Sequence, residues 1–282
     1  MSTAGVTQKP ASPRGTARRW IGEFAALLAL PARAPRRLRS RAPMLPAARV
    51  ALGLLAAVAL IGTAMVFLDA WAFAQAKRLP IWVIDLFNQI TDYGKSNWFL
   101  WPSGILIIVL AGLAITAPRW ARLTLIALIV RFEFIFVAIG LPGLVVTIVK
   151  RFIGRVRPSA LGPFAYFPFS WRPDYAGMPS GHATTAFAAA VVLGALWPRA
   201  RPVLWLYAIV IALSRVVISA HYVSDVVAGA FVGGFGALII RNYFAARRLG
   251  FAAAPDGTVH ALPGPSLRRL KSIAARLFTP AA

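Results

Sequence analysis

Residues 150–158 read Lys150-Arg151-Phe152-Ile153-Gly154-Arg155-Val156-Arg157-Pro158, a highly charged interruption in an apolar chain. Two more polar clusters follow: Pro179-Ser180-Gly181-His182, and then Ser214-Arg215 with His221 and Asp225. Together the clusters contain two of the chain's three histidines. Ionisable residues are costly inside a membrane and usually serve a function there. We therefore expect the region from Lys150 to Asp225 to carry the chemistry.

The cations and small residues of these clusters suit a phosphate group. Lys150, Arg157 and Arg215 are fixed positive charges; the arginine fork matches phosphate oxygens, and lysine adds a point charge. Ser180 and the Gly181 N–H add hydrogen-bond donors in a turn tight enough to need glycine. The clusters therefore predict a phosphate-binding site.

The remaining motif residues have the spacing of a nucleophile, its partner and an acid. His221 and Asp225 are four residues apart, so a helix would place them on one face. The carboxylate can keep one imidazole nitrogen protonated and leave the other free to attack phosphorus. His182, from a separate cluster, can protonate the leaving oxygen. The pattern predicts a covalent phosphohistidine phosphatase that needs no metal or other cofactor.

The three clusters resemble the signature motifs of the type 2 phosphatidic acid phosphatase superfamily, which is related to the vanadium haloperoxidases. That pattern is Lys, six residues, Arg-Pro; then Pro-Ser-Gly-His; then Ser-Arg, five residues, His, three residues, Asp, and every position matches. The helical surroundings extend the resemblance over residues 48–244. It implies an all-α polytopic membrane bundle in which these residues hold and attack phosphate.

Each charged residue also has a purely structural interpretation when it is taken alone. Lys150, Arg151 and Arg155 could be interfacial charges that end a membrane helix. His221 and Asp225 could be an ordinary intrahelical pair. The joint spacing favours the catalytic interpretation for the motif positions. Arg151 and Arg155 are not motif positions, and we keep the structural interpretation for both.

Composition narrows the class of protein. The 282 residues include no cysteine, which excludes disulfides, thiolate metal sites and cysteine nucleophiles. The chain is 59% hydrophobic and its net charge is +23. Such a charge indicates either nucleic acid or anionic lipid as a partner. Because the basic residues flank long apolar runs, we expect a lipid bilayer and no nucleic acid.

The apolar runs predict six transmembrane helices. They cover residues 50–68, 98–117, 123–149, 183–197, 203–219 and 222–244. A polar connector is expected from Asp69 to Ser96; its residues 92–96 form a turn before the second span or part of the pocket border. The aromatic segment from Ser159 to Met178 is either a loop at the membrane interface or a lid beside the lipid entrance.

We divide the chain into a basic, largely disordered tail over residues 1–47, a six-helix phosphatase domain over 48–245 and a basic tail over 246–282. The N-terminal region contains a short interfacial helix from Trp20 to Leu30, or alternatively is an organelle transit peptide. With six spans, both tails and the turns at Arg119 and Arg199 share one side, which the positive-inside rule makes cytoplasmic. The motifs then face the periplasm of a bacterial inner membrane.

The predicted function is hydrolysis of a phosphate monoester or pyrophosphate of a membrane lipid. Undecaprenyl pyrophosphate, phosphatidylglycerophosphate, phosphatidic acid and lipid A phosphates are the alternatives for the substrate. A lipid-to-lipid phosphotransferase on the same site and a non-catalytic lipid-binding protein are the competing hypotheses. The sequence does not predict an oligomeric state.

Overall fold

The structure is a computed structural model that describes residues 13–32, 47–159 and 162–278. Within these ranges the chain is largely helical, as the sequence predicted, with one small hairpin. The helices are α1 Pro13–Leu28, α2 Ala47–Thr63, α3 Asp69–Ala76, α4 Ile81–Thr91, α5 Asn97–Thr116, α6 Arg119–Ile153, α7 Gly181–Leu196, α8 Arg201–Val217, α9 Val223–Ala246 and α10 Leu267–Phe278. The strands β1 Phe251–Ala253 and β2 Val259–Ala261 pair antiparallel.

Five helical segments of the described chain are long and apolar enough to cross a membrane. They are Val50–Ala76, Ile81–Thr116, Arg119–Ile153, Pro198–Val217 and Val223–Ala246. Helix α7 is also apolar but has 16 residues. At 1.5 Å per residue it is about 24 Å long, shorter than a hydrocarbon core of about 30 Å. The chain is a multi-pass membrane protein, and a sixth crossing through α7 stays a prediction.

Helix α7 lies in the middle of the bundle, where it contacts α6, α8 and α9. Ten of its 16 residues are buried, and six of these are alanines. Small side chains let helices approach closely. Gly229 and Gly233 of α9 allow such a close approach. A Cβ atom at position 229 would collide with the Ser180 carbonyl oxygen, and one at position 233 with the Thr184 carbonyl oxygen. The start of α7 is therefore fixed directly against α9.

The first membrane segment continues past Asp69, so the prediction that a polar connector begins there was wrong. A π-helical turn, Ala64–Leu68, joins α2 to α3, and the helical run ends at Ala76. The Asp69 side chain is fully buried and pairs with Arg155 at 2.6 Å. Because the charge is neutralised inside the bundle, the carboxylate does not have to end the membrane segment.

An aromatic core fills the end of the bundle opposite to the motifs. Phe134 of α6 packs against Phe244 of α9 and Phe251 of β1, with ring centroids 5.3 and 4.6 Å apart. All three rings are buried. The β1–β2 hairpin follows α9 and packs against this core. No pattern in the sequence predicted the hairpin, which lies in the region assigned to the C-terminal tail.

Helix α1 lies at the same end as the aromatic core. Glu23 accepts a hydrogen bond from Arg122 at 3.2 Å. The Tyr243 hydroxyl, near the end of α9, donates to the Pro31 carbonyl at 2.8 Å. The helix expected near Trp20 is therefore present and packs on the bundle. The other predicted tail residues, 1–12, 33–46 and 279–282, lie outside the described residues.

Candidate active site

The end of α6 places the first cluster. Gly154 terminates the helix with a φ of 64°, in the left-handed region, and a Cβ atom there would collide with the Phe167 carbonyl. The chain then turns back, and the Phe167 N–H donates to the Gly154 carbonyl at 2.7 Å. This turn keeps Lys150 in the last helical turn and holds Arg157 in the segment just beyond it.

The second cluster forms the N-terminus of α7. The Ser180 N–H donates to the Asp225 carbonyl at 2.9 Å, which ties this turn to α9. Ser180 is fully buried, and its Oγ has no hydrogen-bond partner among the described residues. Lys150 lies beside this turn, with its Nζ 3.7 Å from the position that a Cβ atom of Gly181 would take. The helix N-terminus adds a field that favours a bound anion.

The third cluster begins in the last turn of α8. Arg215 is 7% exposed, and its carbonyl accepts the N–H groups of Ala220 at 3.0 Å and His221 at 3.1 Å. These bonds fold the chain back and bring His221 beside Arg215. The Arg215 guanidinium donates through Nη1 to Thr91 Oγ1 at 2.8 Å. Thr91, on α4, was not among the predicted site residues.

His221 and Asp225 face each other, but His221 lies two residues before α9, so they do not share a helix face as predicted. His221 Nδ1 lies 3.6 Å from Asp225 Oδ2, which is beyond hydrogen-bond distance. Burial lowers the pKa of His221, an effect that Asp225 opposes and that the nearby Arg215 and Arg157 reinforce. The imidazole therefore favours its neutral form, which is the nucleophilic form.

All eight predicted site residues converge at one end of the bundle. His182 is close enough to interact electrostatically with His221, Arg215 and Lys150. Nine buried side-chain nitrogen and oxygen atoms of the described residues lack a hydrogen-bond partner. Five of the nine belong to this cluster: Arg157 Nε, Ser180 Oγ, His182 Nε2, Arg215 Nε and His221 Nδ1. Because buried polar atoms are normally paired, this concentration indicates a site for a polar ligand.

A buried charge network that the sequence did not predict lies behind His221. Arg155 donates through Nη1 to Asp225 Oδ1 and through Nη2 to Asp69 Oδ2, both at 2.6 Å. The Ser224 hydroxyl donates to Asp69 Oδ2 at 2.6 Å, and the Ser224 N–H donates to Asp69 Oδ1 at 2.9 Å. All four residues are fully buried. The carboxylate beside the predicted nucleophile is thus fixed by a charge pair that reaches the first membrane segment.

The interpretation of Arg155 as an interfacial charge was wrong. Its side chain is buried because two carboxylates, from distant parts of the chain, neutralise it. The signal available in the sequence was Asp69, a carboxylate in an otherwise uncharged apolar run, which needs a buried cation as its partner.

The structural interpretation of Arg151 agrees with the structure. Its Nη1 donates to the carbonyl groups of Trp171 and Arg172 at 2.7 and 3.2 Å. These bonds fasten the aromatic segment between the first two motifs to the end of α6. Trp171 itself is 81% exposed. The contacts fit a loop that is packed at the membrane interface.

A cavity of about 530 Å³ opens beside His182. Its apolar part is lined by residues of α5 and α6, including Leu100, Ile139 and Leu144. Its polar lining comprises Lys95, Ser96, Asn97, Thr147, His182 and Thr185. The turn before α5 therefore borders the pocket, which was one of the two alternatives for residues 92–96. A separate apolar groove of about 590 Å³ lies between α2, α6 and α9 and reaches Pro179.

Comparison with known proteins gives consistent matches. A family model described as the PAP2 superfamily matches residues 133–249, which include all three motifs. The lipid A 1-phosphatase of Rhizobium johnstonii is 34% identical over 187 residues, which cover 64% of this chain and 76% of that protein. The protein of the same name from Rhizobium etli is also 34% identical over 187 residues, covering 64% and 80% of the two chains. The crystal structure of Aquifex aeolicus LpxE is 24% identical, covers 61% of this chain and 94% of its own, and has a TM-score of 0.44.

These matches agree with the site. Every motif position is occupied by the expected residue, and the structure brings the three motifs together. The Rhizobium johnstonii relative is 34% identical, and this chain covers 76% of it. The chain therefore belongs to the PAP2 superfamily, the type 2 phosphatidic acid phosphatases that its motifs resemble.

Proposed function

We propose that this membrane lipid phosphatase removes a phosphate group from the sugar headgroup of a lipid A-type glycolipid. The superfamily and the multi-pass helical fold support a membrane lipid phosphatase. The names of the two Rhizobium relatives support a glycolipid phosphate. We place this substrate ahead of undecaprenyl pyrophosphate, phosphatidylglycerophosphate and phosphatidic acid.

The observation that carries the proposal is the set of unpartnered buried atoms that surround His221. Arg157, Arg215 and Ser180 each contribute one such atom, and Lys150 lies beside Gly181. Phosphoryl transfer is catalysed mainly by positioning and by stabilising charge on the transferred group. Fixed cations and a helix N-terminus supply both. When the substrate is bound, its three free phosphate oxygens accept hydrogen bonds from Lys150, Arg157, Arg215, Ser180 and the Gly181 N–H.

In the first step, a neutral imidazole nitrogen of His221 attacks phosphorus, and the bond from phosphorus to the lipid oxygen breaks. Asp225, whose Oδ2 lies 3.6 Å from His221 Nδ1, stabilises the positive ring that forms. Arg155 and Asp69 keep the carboxylate in place. His182 donates a proton to the departing oxygen. The products are a phosphohistidine and a lipid with a free hydroxyl group.

In the second step, water attacks the phosphohistidine. His182, which has lost its proton, now accepts one from the water, and the bond between phosphorus and nitrogen breaks. Inorganic phosphate leaves and His221 is restored.

The cavity beside His182 supports a sugar as the leaving group. His182, the proposed acid, lines this cavity, and we therefore place the lipid headgroup there. Its amide, hydroxyl and ammonium groups, from Asn97, Thr147 and Lys95, can bind sugar hydroxyls. Its apolar walls can take the start of an acyl chain.

We further propose that the reaction needs no metal. The fixed cations Lys150, Arg157 and Arg215 supply the charge that phosphate requires.

The orientation proposed from the sequence keeps both tails in the cytoplasm and the catalytic end in the periplasm of a bacterial inner membrane. The positions of α1 and of the end of α9, away from the motifs, support this arrangement. The proposed phosphatase domain covers residues 48–245, and α1 and the β1–β2 hairpin pack on it from the two predicted tails.

Phosphate release from a lipid A bisphosphate by the purified full chain tests the function. We expect His221→Ala to lose activity by at least about a thousandfold. His260→Ala is the matched control, because His260 lies on β2 at the surface and should leave the rate unchanged. A radiolabelled substrate should label the wild-type protein, but not His221→Ala, in an acid-labile and base-stable form.

Two results would contradict the proposal. Full activity of His221→Ala would exclude that residue as the nucleophile. Loss of activity in a chelator, with recovery on adding a divalent cation, would contradict the metal-independent chemistry.

A further inference from the structure

A second polar cavity lies at the far ends of α8 and α9 from the phosphate site. It has a volume of about 260 Å³ and is lined by residues of α7, α8 and α9. Its charged lining consists of Arg201 and Arg241. Arg241 follows Asp225 by sixteen residues on α9, or about 24 Å. The cavity therefore belongs to the opposite face of the membrane.

Arg201 is held in this cavity by α7. Its Nε donates to the Gly194 carbonyl at 2.9 Å. Its stem lies against the same residue, with Cγ only 3.1 Å from the position that a Cβ atom of residue 194 would take. A larger residue there would displace the arginine. These contacts engage Nε and the stem, and they leave the two terminal nitrogens for a ligand.

Arg241 brings a second positive charge to the same space. Its Nε and Nη2 donate to Asn242 Oδ1 at 3.3 and 3.1 Å. It is close enough to Arg201 for the two like charges to repel. In the part of the chain that the structure describes, neither arginine forms an ion pair with a carboxylate. An anion bound between the two guanidinium groups would remove this repulsion.

The surroundings favour a lipid phosphate over a soluble anion. Trp205 lines the cavity, stacks edge-on against Phe187 at 5.7 Å and is 42% exposed. Tryptophan at such a position is typical of the membrane–water interface. Ala190, Val191 and Leu238 give the cavity an apolar wall. Basic pockets between membrane helices bind anionic headgroups. We propose that this cavity binds the phosphate group of an anionic phospholipid, in the leaflet opposite to the catalytic site.

A lipid at this position would join the three helices that also form the catalytic end. Helix α7 carries His182, α8 carries Arg215, and α9 carries Asp225. The bound lipid should therefore stabilise the folded bundle. It would do so without touching the reacting groups.

The test uses the full chain, reconstituted in vesicles of phosphatidylglycerol and phosphatidylcholine and analysed by native mass spectrometry. We expect wild type to retain phosphatidylglycerol selectively. The double variant Arg201→Gln/Arg241→Gln should retain it about tenfold less strongly, because it loses two charge-assisted contacts. The matched control Arg119→Gln/Arg199→Gln removes the same charge from residues outside the cavity and should behave as wild type.

Thermal unfolding gives a second readout. Phosphatidylglycerol should raise the melting temperature of wild type and of the control, relative to phosphatidylcholine alone, and should not raise that of the double variant. If the double variant does not purify, Arg201→Gln alone serves, since this side chain is exposed. Phosphate release in detergent shows separately whether the catalytic end is intact, so the outcome does not depend on the proposed function.

Two outcomes would overturn the inference. Equal loss of phosphatidylglycerol in the control and the double variant would mean that the lipid responds to net charge alone. Inorganic phosphate that protects wild type as well as phosphatidylglycerol does, with this protection lost in the double variant, would show a site for a free anion instead of a lipid; protection that persists in the double variant arises at the catalytic end.

Discussion

Arg155 and Asp69 form a fully buried ion pair, with Nη2 and Oδ2 2.6 Å apart, between the end of α6 and the first membrane segment. The other terminal nitrogen of Arg155 lies 2.6 Å from Asp225 Oδ1. One guanidinium therefore couples the carboxylate beside the proposed nucleophile to a helix that contributes no motif residue. Arg155 and Asp69 hold the site in shape, whereas the motif residues are the ones we propose to contact the substrate.

Removing Asp69 should destabilise the whole bundle. Asp69→Ala leaves Arg155 buried with one carboxylate, and breaking a buried pair in this way costs about 3–5 kcal/mol of unfolding free energy. Thermal or denaturant unfolding in detergent measures the loss. Asp174→Ala is the control, because Asp174 forms an exposed pair with Arg172 at 4.0 Å and should change little. Equal melting temperatures of Asp69→Ala and wild type would show that the pair does not stabilise the fold.

The pH dependence of kcat/KM should report the buried imidazole of His221. Burial lowers its pKa, so the neutral nucleophile persists below the ordinary histidine value of about 6.5. As the pH is lowered, kcat/KM should therefore begin to fall only below the ordinary histidine pKa. Asp225 raises the pKa of His221. Asp225→Asn should therefore move the acid limb to still lower pH, in addition to reducing the rate.

The comparison to make is a pH–rate profile of wild type and Asp225→Asn on the same lipid. If the acid limb of the profile moved to higher pH in Asp225→Asn, the carboxylate of Asp225 would not be stabilising the imidazolium form of His221. Such a result would remove Asp225 from its proposed role.

His182→Asn should separate proton donation from phosphate binding. Loss of a general acid costs about 10²–10⁴-fold when the leaving group is a poor one, as the sugar hydroxyl of a lipid is. An aryl phosphate leaves without protonation, so its hydrolysis should fall far less in the same variant. The ratio of the two rates is the measurement. An equal loss on both substrates would indicate that His182 acts in binding.

Asn97→Ala should reduce selectivity for a glycolipid. Asn97 lines the cavity beside His182, and loss of one hydrogen bond to a sugar hydroxyl costs about tenfold in kcat/KM. Phosphatidic acid, which has no sugar, should be hydrolysed as before. Gln75→Ala removes an exposed amide outside the cavity and serves as the control. A uniform decrease on both lipids would assign Asn97 to the general stability of the cavity.

The motif pattern predicted which residues would meet, because the whole pattern resembles that of a known family. His221 and Asp225 face each other although His221 precedes α9, so the predicted shared helix face is not the reason. The helical membrane fold followed from the apolar runs. These features depend on local periodicity and on the rule that charges in a membrane chain cluster at a site.

The remaining features depend on contacts between distant segments, which periodicity does not report. Arg155 looks like an interfacial charge until Asp69 and Asp225 are placed beside it. Thr91 has no motif around it, and its partner Arg215 lies on another helix. The β1–β2 hairpin is short and follows a basic stretch, so only the burial of Phe251 against Phe134 reveals that it belongs with the core.

The buried contacts of Asp69 with Arg155 and Ser224 have a consequence for the order in which the helices enter the membrane during synthesis. Asp69 leaves the ribosome well before Arg155 and Ser224, so its carboxylate has no partner while the first helix is being inserted. An unpaired aspartate costs up to about 2.5–3.5 kcal/mol at the translocon when it lies at a helix centre, and Asp69 lies inside the segment Val50–Ala76. We expect the C-terminal part of this segment, which contains Asp69, to reach its final position in the bilayer only after α9 has been synthesised. A nascent chain that stops before residue 224 should therefore leave Asp69 accessible to an aqueous label, and completion of the chain should bury it.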